Sequence, residues 1–388
     1  MKGIIYLDNS ATTRAFDETV DAVAKYMRDE FYNASALYGN AVAVDEAITA
    51  ARKRLITALR GNGSIVYTSG GTESNNIAIL GALAAMRPGK KRIVTTEIEH
   101  PSVLAVFNEL RARGNDVVYL RPCQDGSIDT RQVEEAVSDD TALVSIMHVN
   151  NETGAVQDLP EIGKAIRKKA PAAIFHSDGV QAFLKVPVFA EASGIDLYTI
   201  SAHKFHGPKG IGALYIKKGI KLDAIHFGGG QEGGLRPGTY NSPGVMGLDA
   251  ALRKYMSNQE DYLYTMRQCK ETMAAAFKMK MEGAYINGPK ATGGSPHILN
   301  VSFTGVPGQV LLQALEEQGI IIGTGSACSS KKGKESKVLA AMGLPRERTE
   351  SAIRISLSPE VTLEQAKFAA SVIMDSVKKL RYWRKKDE

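Results

Sequence analysis

The chain has 388 residues, of which 44% are hydrophobic and 23% charged, and it carries a formal net charge of +6. That length exceeds one small core and calls for two domains, or a large domain with a smaller appendage, in a globular protein of ordinary composition. No apolar run approaches the ~18–20 residues of a membrane span and the N-terminus has no signal-peptide core, so a membrane protein is excluded and a cytoplasmic one is expected.

Residues 6–13 read as a short strand running into small polar residues. A helical pattern follows over 17–30, then a loop over 32–40 and an amphipathic segment over 42–59. The first informative junction comes next: a strand over 65–68, a tight Ser69-Gly70-Gly71 turn, and a helix from Thr72 to about residue 86. A helix that starts behind a Gly-Gly turn presents free N–H groups and a partial positive charge, to which Thr72 adds a hydroxyl. Such a junction is a phosphate cradle or an ordinary capped turn. It matches neither the P-loop nor the GxGxxG pattern, so nucleotide binding is not supported.

Strands and helices then alternate: strand 92–96, helix 101–113, strand 117–120, helix 130–137, strand 143–148, helix 159–169, strand 173–175 and strand 197–201. This rhythm predicts an α/β fold with a mostly parallel sheet between helices. In such sheets ligands bind beyond the carboxyl ends of the strands. Polar residues collect there: His100, Asn150 and Asn151, Asp178 and Gln181, and Lys204. Lys204 lies in Ser201-Ala202-His203-Lys204-Phe205-His206-Gly207-Pro208-Lys209-Gly210-Ile211-Gly212, where a strand gives way to a glycine-rich turn. A lysine there either holds a carbonyl cofactor as a Schiff base or is a plain loop residue. A pyridine aldehyde such as pyridoxal phosphate needs that lysine, a carboxylate for the ring nitrogen, a flat group over the ring, and donors for its phosphate and phenolate. Each requirement has a candidate at this edge.

The C-terminal part reads as a separate unit. A helical stretch over 246–281 leads to strand 298–303, helix 309–318, strands 320–322 and 353–357, and a closing helix near Thr362, where Thr362-Leu363-Glu364-Gln365 is a capping box. The expected division is a large domain of residues 15–255 and a smaller α/β domain of 256–388, completed by the N-terminal segment 1–14. Arg354 within the last strand suits a carboxylate grip or an exposed surface charge equally. Residues 323–334 are rich in glycine and serine and read as a mobile loop; in them Lys331, Lys332 and Lys334 favour the thiolate of Cys328. Cys123 and Cys269 are the other cysteines, with no CxxC pair or metal-ligand spacing, so neither a disulfide framework nor a metal site is expected. Six basic and two acidic residues among the last eleven place much of the positive charge in the tail. That tail reads as a solvated helix end, with no nucleic-acid partner.

Leu7-Asp8-Asn9-Ser10-Ala11-Thr12-Thr13, Thr68-Ser69-Gly70-Gly71-Thr72-Glu73-Ser74-Asn75, Glu99-His100, His148-Val149-Asn150-Asn151-Glu152-Thr153-Gly154, the Lys204 stretch and Gly325-Ser326-Ala327-Cys328 together resemble the pyridoxal-phosphate-dependent cysteine desulfurases, the IscS/NifS-like group of the class V aminotransferase fold family. The resemblance runs over residues 6–357 with the motifs in the same order. It implies fold type I, with Lys204 as the cofactor-bearing lysine, Asp178 on the pyridine nitrogen, Gln181 on the phenolate oxygen and His100 stacked on the ring. Gly71, Thr72, Ser201 and His203 would bind the phosphate, and Asn151 and Arg354 the substrate carboxylate. Thr239 would reach the phosphate of a neighbouring subunit, implying a homodimer. Cys328 would take the sulfur of L-cysteine as a persulfide, releasing L-alanine, with His100 as proton carrier, and would pass it to an iron-sulfur scaffold or a tRNA-thiolation protein. Another class V enzyme, a selenocysteine lyase or aminotransferase, and a non-catalytic sulfur-relay scaffold are the alternatives. Ala34, Tyr38 and Gly233 stand where the group commonly has other residues.

Overall fold

A computed structural model of the chain describes residues 3–86, 91–324 and 335–387. Cys328 and the lysines beside it lie outside the described residues. The chain enters through β1 (Ile5–Tyr6), α1 (Asp17–Arg28) and α2 (Gly39–Ala58). It then builds a seven-stranded sheet from β2 (Ser64–Thr68), β3 (Arg92–Thr96), β4 (Asp116–Leu120), β5 (Thr141–Ser145), β6 (Ile174–Asp178), β7 (Leu197–Ser201) and β8 (Gly212–Ile216). Between those strands run α3 (Gly71–Ala84), α4 (Pro101–Ala112), α5 (Thr130–Ala136) and α6 (Leu159–Lys169).

The spatial order is β2-β8-β7-β6-β5-β3-β4. Every neighbouring pair is parallel except those of β8, which runs antiparallel to both β2 and β7. Period-two alternation drives the layering, because successive strand residues face opposite sides. Leu143, Ile174, Leu197 and Leu214 pack with α3 and α4. Their neighbours Val144, Phe175, Tyr198 and Tyr215 pack on the other face with α2, α5 and α6. Each such side chain contributes about 1.5–3 kcal/mol on full burial.

After α7 (Ser242–Ser257) and α8 (Gln259–Lys280) come β9 (Ala284–Asn287), β10 (Ile298–Phe303), α9 (Gly308–Glu316), β11 (Ile320–Ile321), β12 (Ala352–Ser356) and a C-terminal helix, Leu363–Asp387. β12, β10 and β9 form an antiparallel sheet, and β1 returns from the N-terminus to pair with β11. The predicted capping box is present: Gln365 N donates to Thr362 Oγ1 at 3.2 Å, and Thr362 N donates to Gln365 Oε1 at 3.0 Å. Among the described residues no helix is long and apolar enough to cross a membrane.

Three readings of the sequence are corrected. The predicted helical stretch 246–281 breaks at Asn258, whose side-chain amide turns back to the Lys254 carbonyl and favours an interruption. The strand expected over 173–175 continues to Asp178, so this carboxylate ends the strand instead of following it. The glycine-rich stretch up to Gly212 opens directly into β8, which carried no separate signal. Gly212 pairs with both Thr68 and Ser201, and a Cβ there would meet the Gly70 backbone and the Ile200 carbonyl at 2.7 Å. Glycine is what lets β8 start between the ends of β2 and β7.

Candidate active site

Because β3, β5, β6 and β7 run parallel, their carboxyl ends deliver His100, Asn151, Asp178 and Lys204 to one edge. A cavity of about 780 Å³ opens there, within the range of small-molecule sites. Gly71, Thr72, His100, Asn151, Asp178, Gln181, Ser201, His203, Lys204 and Arg354 all line it. Thr239 does not; it is exposed on a loop elsewhere. Asn150 is a buried turn residue, its Oδ1 accepting from Glu152 N and Thr153 N and its amide donating to the Ile98 carbonyl.

Lys204 ends a single turn of 3-10 helix, Ala202–Lys204, that follows β7. Its Nζ donates to the carbonyls of Ser10 and Ala11 at 2.5 and 2.7 Å. Burial, helped by the Arg354 charge, lowers its pKa to about 8, which makes a neutral amine accessible near physiological pH. Asp178 accepts from Asn75 Nδ2 at 2.8 Å and Val180 N at 2.9 Å. Asn75 Nδ2 also donates to Ser102 Oγ at 2.8 Å, and Ser102 Oγ lies 2.8 Å from His100 Nδ1. Ser102 N donates to the same ring nitrogen at 3.2 Å. That assigns Nδ1 as acceptor and leaves the ring proton on Nε2. Burial lowers the His100 pKa, so the ring is neutral.

Arg354 is 3% exposed, which overturns the surface-charge reading. Its Nη1 donates to the Asn151 carbonyl at 2.9 Å and its Nη2 pairs with Asp8 Oδ1 at 2.7 Å, while Nε has no partner among the described residues. Gln181 Nε2 donates to the Ser10 carbonyl at 2.9 Å, and its Oε1 faces His297 Nε2 at 3.3 Å.

The first turn of α3 has no side-chain cap behind Gly70. Its N–H groups therefore share the cavity edge with Thr72, Ser201 and His203. Burial and the Lys204 charge lower the His203 pKa to about 3, and its Nδ1 lies 3.1 Å from Thr12 Oγ1. A Cβ on Gly71 would stand 2.8 Å from Val180 Cγ2, so the turn packs closely because it lacks one. The residues present fit pyridoxal phosphate: an amine of lowered pKa, a braced carboxylate, a neutral imidazole and an uncapped helix terminus face one cavity. Buried polar atoms of the lining residues, Ser10 Oγ, Asn75 Oδ1, Glu99 Oε2 and Arg354 Nε, have no hydrogen-bond partner among the described residues, as expected of a site built around a polar guest.

Sequence reasoning assigned no role to Glu99, Asn75, Asp8, Ser10 or Ala11. All five stand inside the recognised motifs, which was the available signal; their contacts are long-range. Glu99 is 3% exposed, with Oε1 accepting from Thr96 Oγ1 at 2.9 Å and Met147 N at 2.8 Å. Burial pushes its pKa up to about 8.

The model of the family described as aminotransferase class-V matches residues 5–368. A cysteine desulfurase of Trichormus azollae is 38% identical over 379 residues, which is 97% of this chain and 94% of the relative. The cysteine desulfurase IscS of Dictyoglomus turgidum is 35% identical, covering 98% of this chain and 96% of its own. A solved NifS-like protein superposes with a TM-score of 0.90 at 32% identity, over 97% of this chain and 100% of that one.

Proposed function

The chain belongs to the aminotransferase class-V family, and on that premise we propose how its residues divide the work. The enzyme is a pyridoxal-phosphate-dependent cysteine desulfurase, converting L-cysteine to L-alanine with transfer of the sulfur to an enzyme cysteine. The meeting of Lys204, Asp178, His100 and Arg354 in one cavity carries the residue assignment. When bound, pyridoxal phosphate supplies an aldehyde for the amino group and a ring that takes up the electron pair left at Cα.

Lys204 would hold the cofactor and, with its amine free, act as the base for the Cα proton, a role suited to an amine of pKa about 8. Asp178, braced by Asn75 and Val180, would pair with the ring nitrogen. Gln181 would hold the phenolate, and Gly71, Thr72, Ser201 and His203 would take the phosphate at the uncapped start of α3. His100 would stack on the ring, with its Nε2 carrying a proton during sulfur transfer. The guanidinium of Arg354, oriented by Asp8 and the Asn151 carbonyl, takes the substrate carboxylate. Cys328, outside the described residues, would supply the thiolate: its bond to the substrate sulfur forms as the substrate Cβ–S bond breaks, the electron pair of that bond stays with Cβ, and a proton added there completes the methyl group of alanine.

The working form we propose is a cytoplasmic homodimer. Phe31, Leu37, Tyr38 and Val42 are exposed within residues 31–42 and would be covered by a second copy, and Thr239, exposed and not lining its own cavity, would serve a neighbour. A large domain of 15–255 and a small one of 256–388 with 1–14 describe the division of labour. The sulfur goes on to an acceptor protein, an iron-sulfur scaffold or a tRNA-thiolation protein. Incubation with L-cysteine tests the assignment: wild type is expected to form alanine and, with a thiol, sulfide. Cys328→Ala and Lys204→Ala are expected to form far less of both. Undiminished alanine from Cys328→Ala would remove the persulfide role. Amino transfer to a keto acid in place of alanine would favour an aminotransferase.

A further inference from the structure

A second buried lysine adjoins Lys204, and no step above uses it. Lys185 is 6% exposed and lies between β6 and β7, just after Leu184, whose φ of 66° bends the chain through the left-handed region. Its Nζ donates to the main-chain carbonyl of Lys204 at 2.7 Å. Burial and the Lys204 charge lower its pKa to about 7. Its charge bears on a basic neighbourhood of His203, His206 and His297, and among the described residues no carboxylate pairs with it. Lys185 does not line the cavity, so it is not a second attachment point for an aldehyde.

A buried amine with no counter-ion is costly, and an apolar side chain of the same length would be cheaper to bury. What the amine supplies becomes visible in the turn that bears Lys204. The Ala202 carbonyl accepts from Phe205 N at 3.0 Å and Gly207 N at 2.9 Å. The His203 carbonyl accepts from Thr13 N at 3.0 Å and Thr13 Oγ1 at 3.1 Å. The Lys204 carbonyl accepts from Lys185. Each peptide plane of the turn is thus tied, and the plane leaving Lys204 is tied by Lys185. Both the charged and the neutral amine donate N–H, so the tie survives titration of Lys185.

We propose that Lys185 is a positioning residue for Lys204: by holding the Lys204 carbonyl it sets the backbone from which the cofactor-bearing side chain leaves. This rests on the reading of Lys204 as that residue. Small misplacements of a reacting group are costly in rate, and losing one hydrogen bond of ordinary strength corresponds to a change of up to about tenfold.

Lys185→Met, which keeps the stem and lacks the donor, tests this. Its apoenzyme is expected to melt at or above the wild-type temperature. Pyridoxal phosphate is expected to leave the holoenzyme about tenfold faster, followed by its absorbance, and kcat for alanine to fall about tenfold. KM for L-cysteine stays within about twofold, since Arg354 and Asn151 are untouched. Lys185→Gln, with a donor on a shorter arm, is expected to lie between Lys185→Met and wild type. Wild-type cofactor release and kcat in Lys185→Met overturn the proposal, and so does a loss that follows melting temperature across both variants. If Lys185→Met does not fold, Lys185→Gln decides: faster cofactor release at an unchanged melting temperature supports the role, and wild-type release overturns it. Wild-type protein that takes up no pyridoxal phosphate would sink the reading of Lys204 instead.

Discussion

The cavity has two walls of different origin. The sheet-edge wall, with His100, Asp178 and Lys204, comes from successive strand ends, each placed by its own βα unit. The opposing wall joins the N-terminal strap Asp8–Thr13 to Arg354 of β12, and its central ion pair spans 346 residues of sequence. The strap touches the other wall throughout: Ser10 and Ala11 hold the Lys204 amine, Ser10 holds Gln181, and Thr12 meets His203. In the proposed assignment the sheet edge supports the cofactor chemistry, while Asp8 of the strap orients the Arg354 that would meet the substrate.

The comparison can be broken from either side. Lys204→Ala removes the reactive group of the sheet edge, and alanine formation is expected to fall by roughly 10²–10⁴-fold, read by amino-acid analysis; added primary amines restore part of it if the role is that of a base. Arg354→Ala attacks the strap wall. KM for L-cysteine is expected to rise by roughly 10²-fold, with a smaller change in kcat, as for truncation of one partner of a buried charged pair. Melting temperature should drop as well, because Asp8 loses its partner. An effect on kcat alone would show that the two walls do not divide binding from chemistry.

Gly71→Ala sharpens the picture of the sheet edge. The new methyl meets Val180 Cγ2 at 2.8 Å, and overpacking of this kind costs about 1–3 kcal/mol. Cofactor affinity, measured by fluorescence quenching, is expected to weaken about tenfold while KM changes little. An unchanged affinity would remove Gly71 from the phosphate cradle.

The smallest effect concerns pH. Glu99 has a folded pKa of about 8, raised by burial from an ordinary 4.5. The folded state therefore keeps a proton that the unfolded state releases. Its contribution to stability is full below about pH 4.5 and is lost as pH rises through about 8. Glu99→Gln should flatten the decline in apoenzyme melting temperature over that window. An identical decline in both proteins would show that Glu99 is not the group responsible.

Much of the sheet was legible because its signal is local. β7, with five buried residues from Leu197 to Ser201, was bounded correctly from its apolar run, and α6 ran from Leu159 to Lys169 as its periodicity required. Of the misplaced features, β8 and Arg354 answer to non-local causes and the break at Asn258 to a local one. β8 looked like the tail of a glycine turn because only pairing with β2 and β7 makes it a strand. Residues 246–281 kept a helical pattern across Asn258, where a side chain competing for the backbone interrupts the helix. Arg354 was undecided because one arginine in an apolar strand looks alike on a wet face and in a buried ion pair.

From the sequence alone came the α/β alternation and the residues of the sheet edge, since strand and helix periods bring each βα turn to the same side of a parallel sheet, and the family and its cofactor, through the resemblance of the motifs. Only the tertiary structure decided that Asp8 orients Arg354, that Ser10 and Ala11 hold the Lys204 amine, that Lys185 ties the Lys204 carbonyl, and that Glu99 keeps its proton near neutrality. The physical reason is common to all four. Desolvation and pairing depend on what encloses a group, and here the enclosing atoms come from parts of the chain that no local pattern connects.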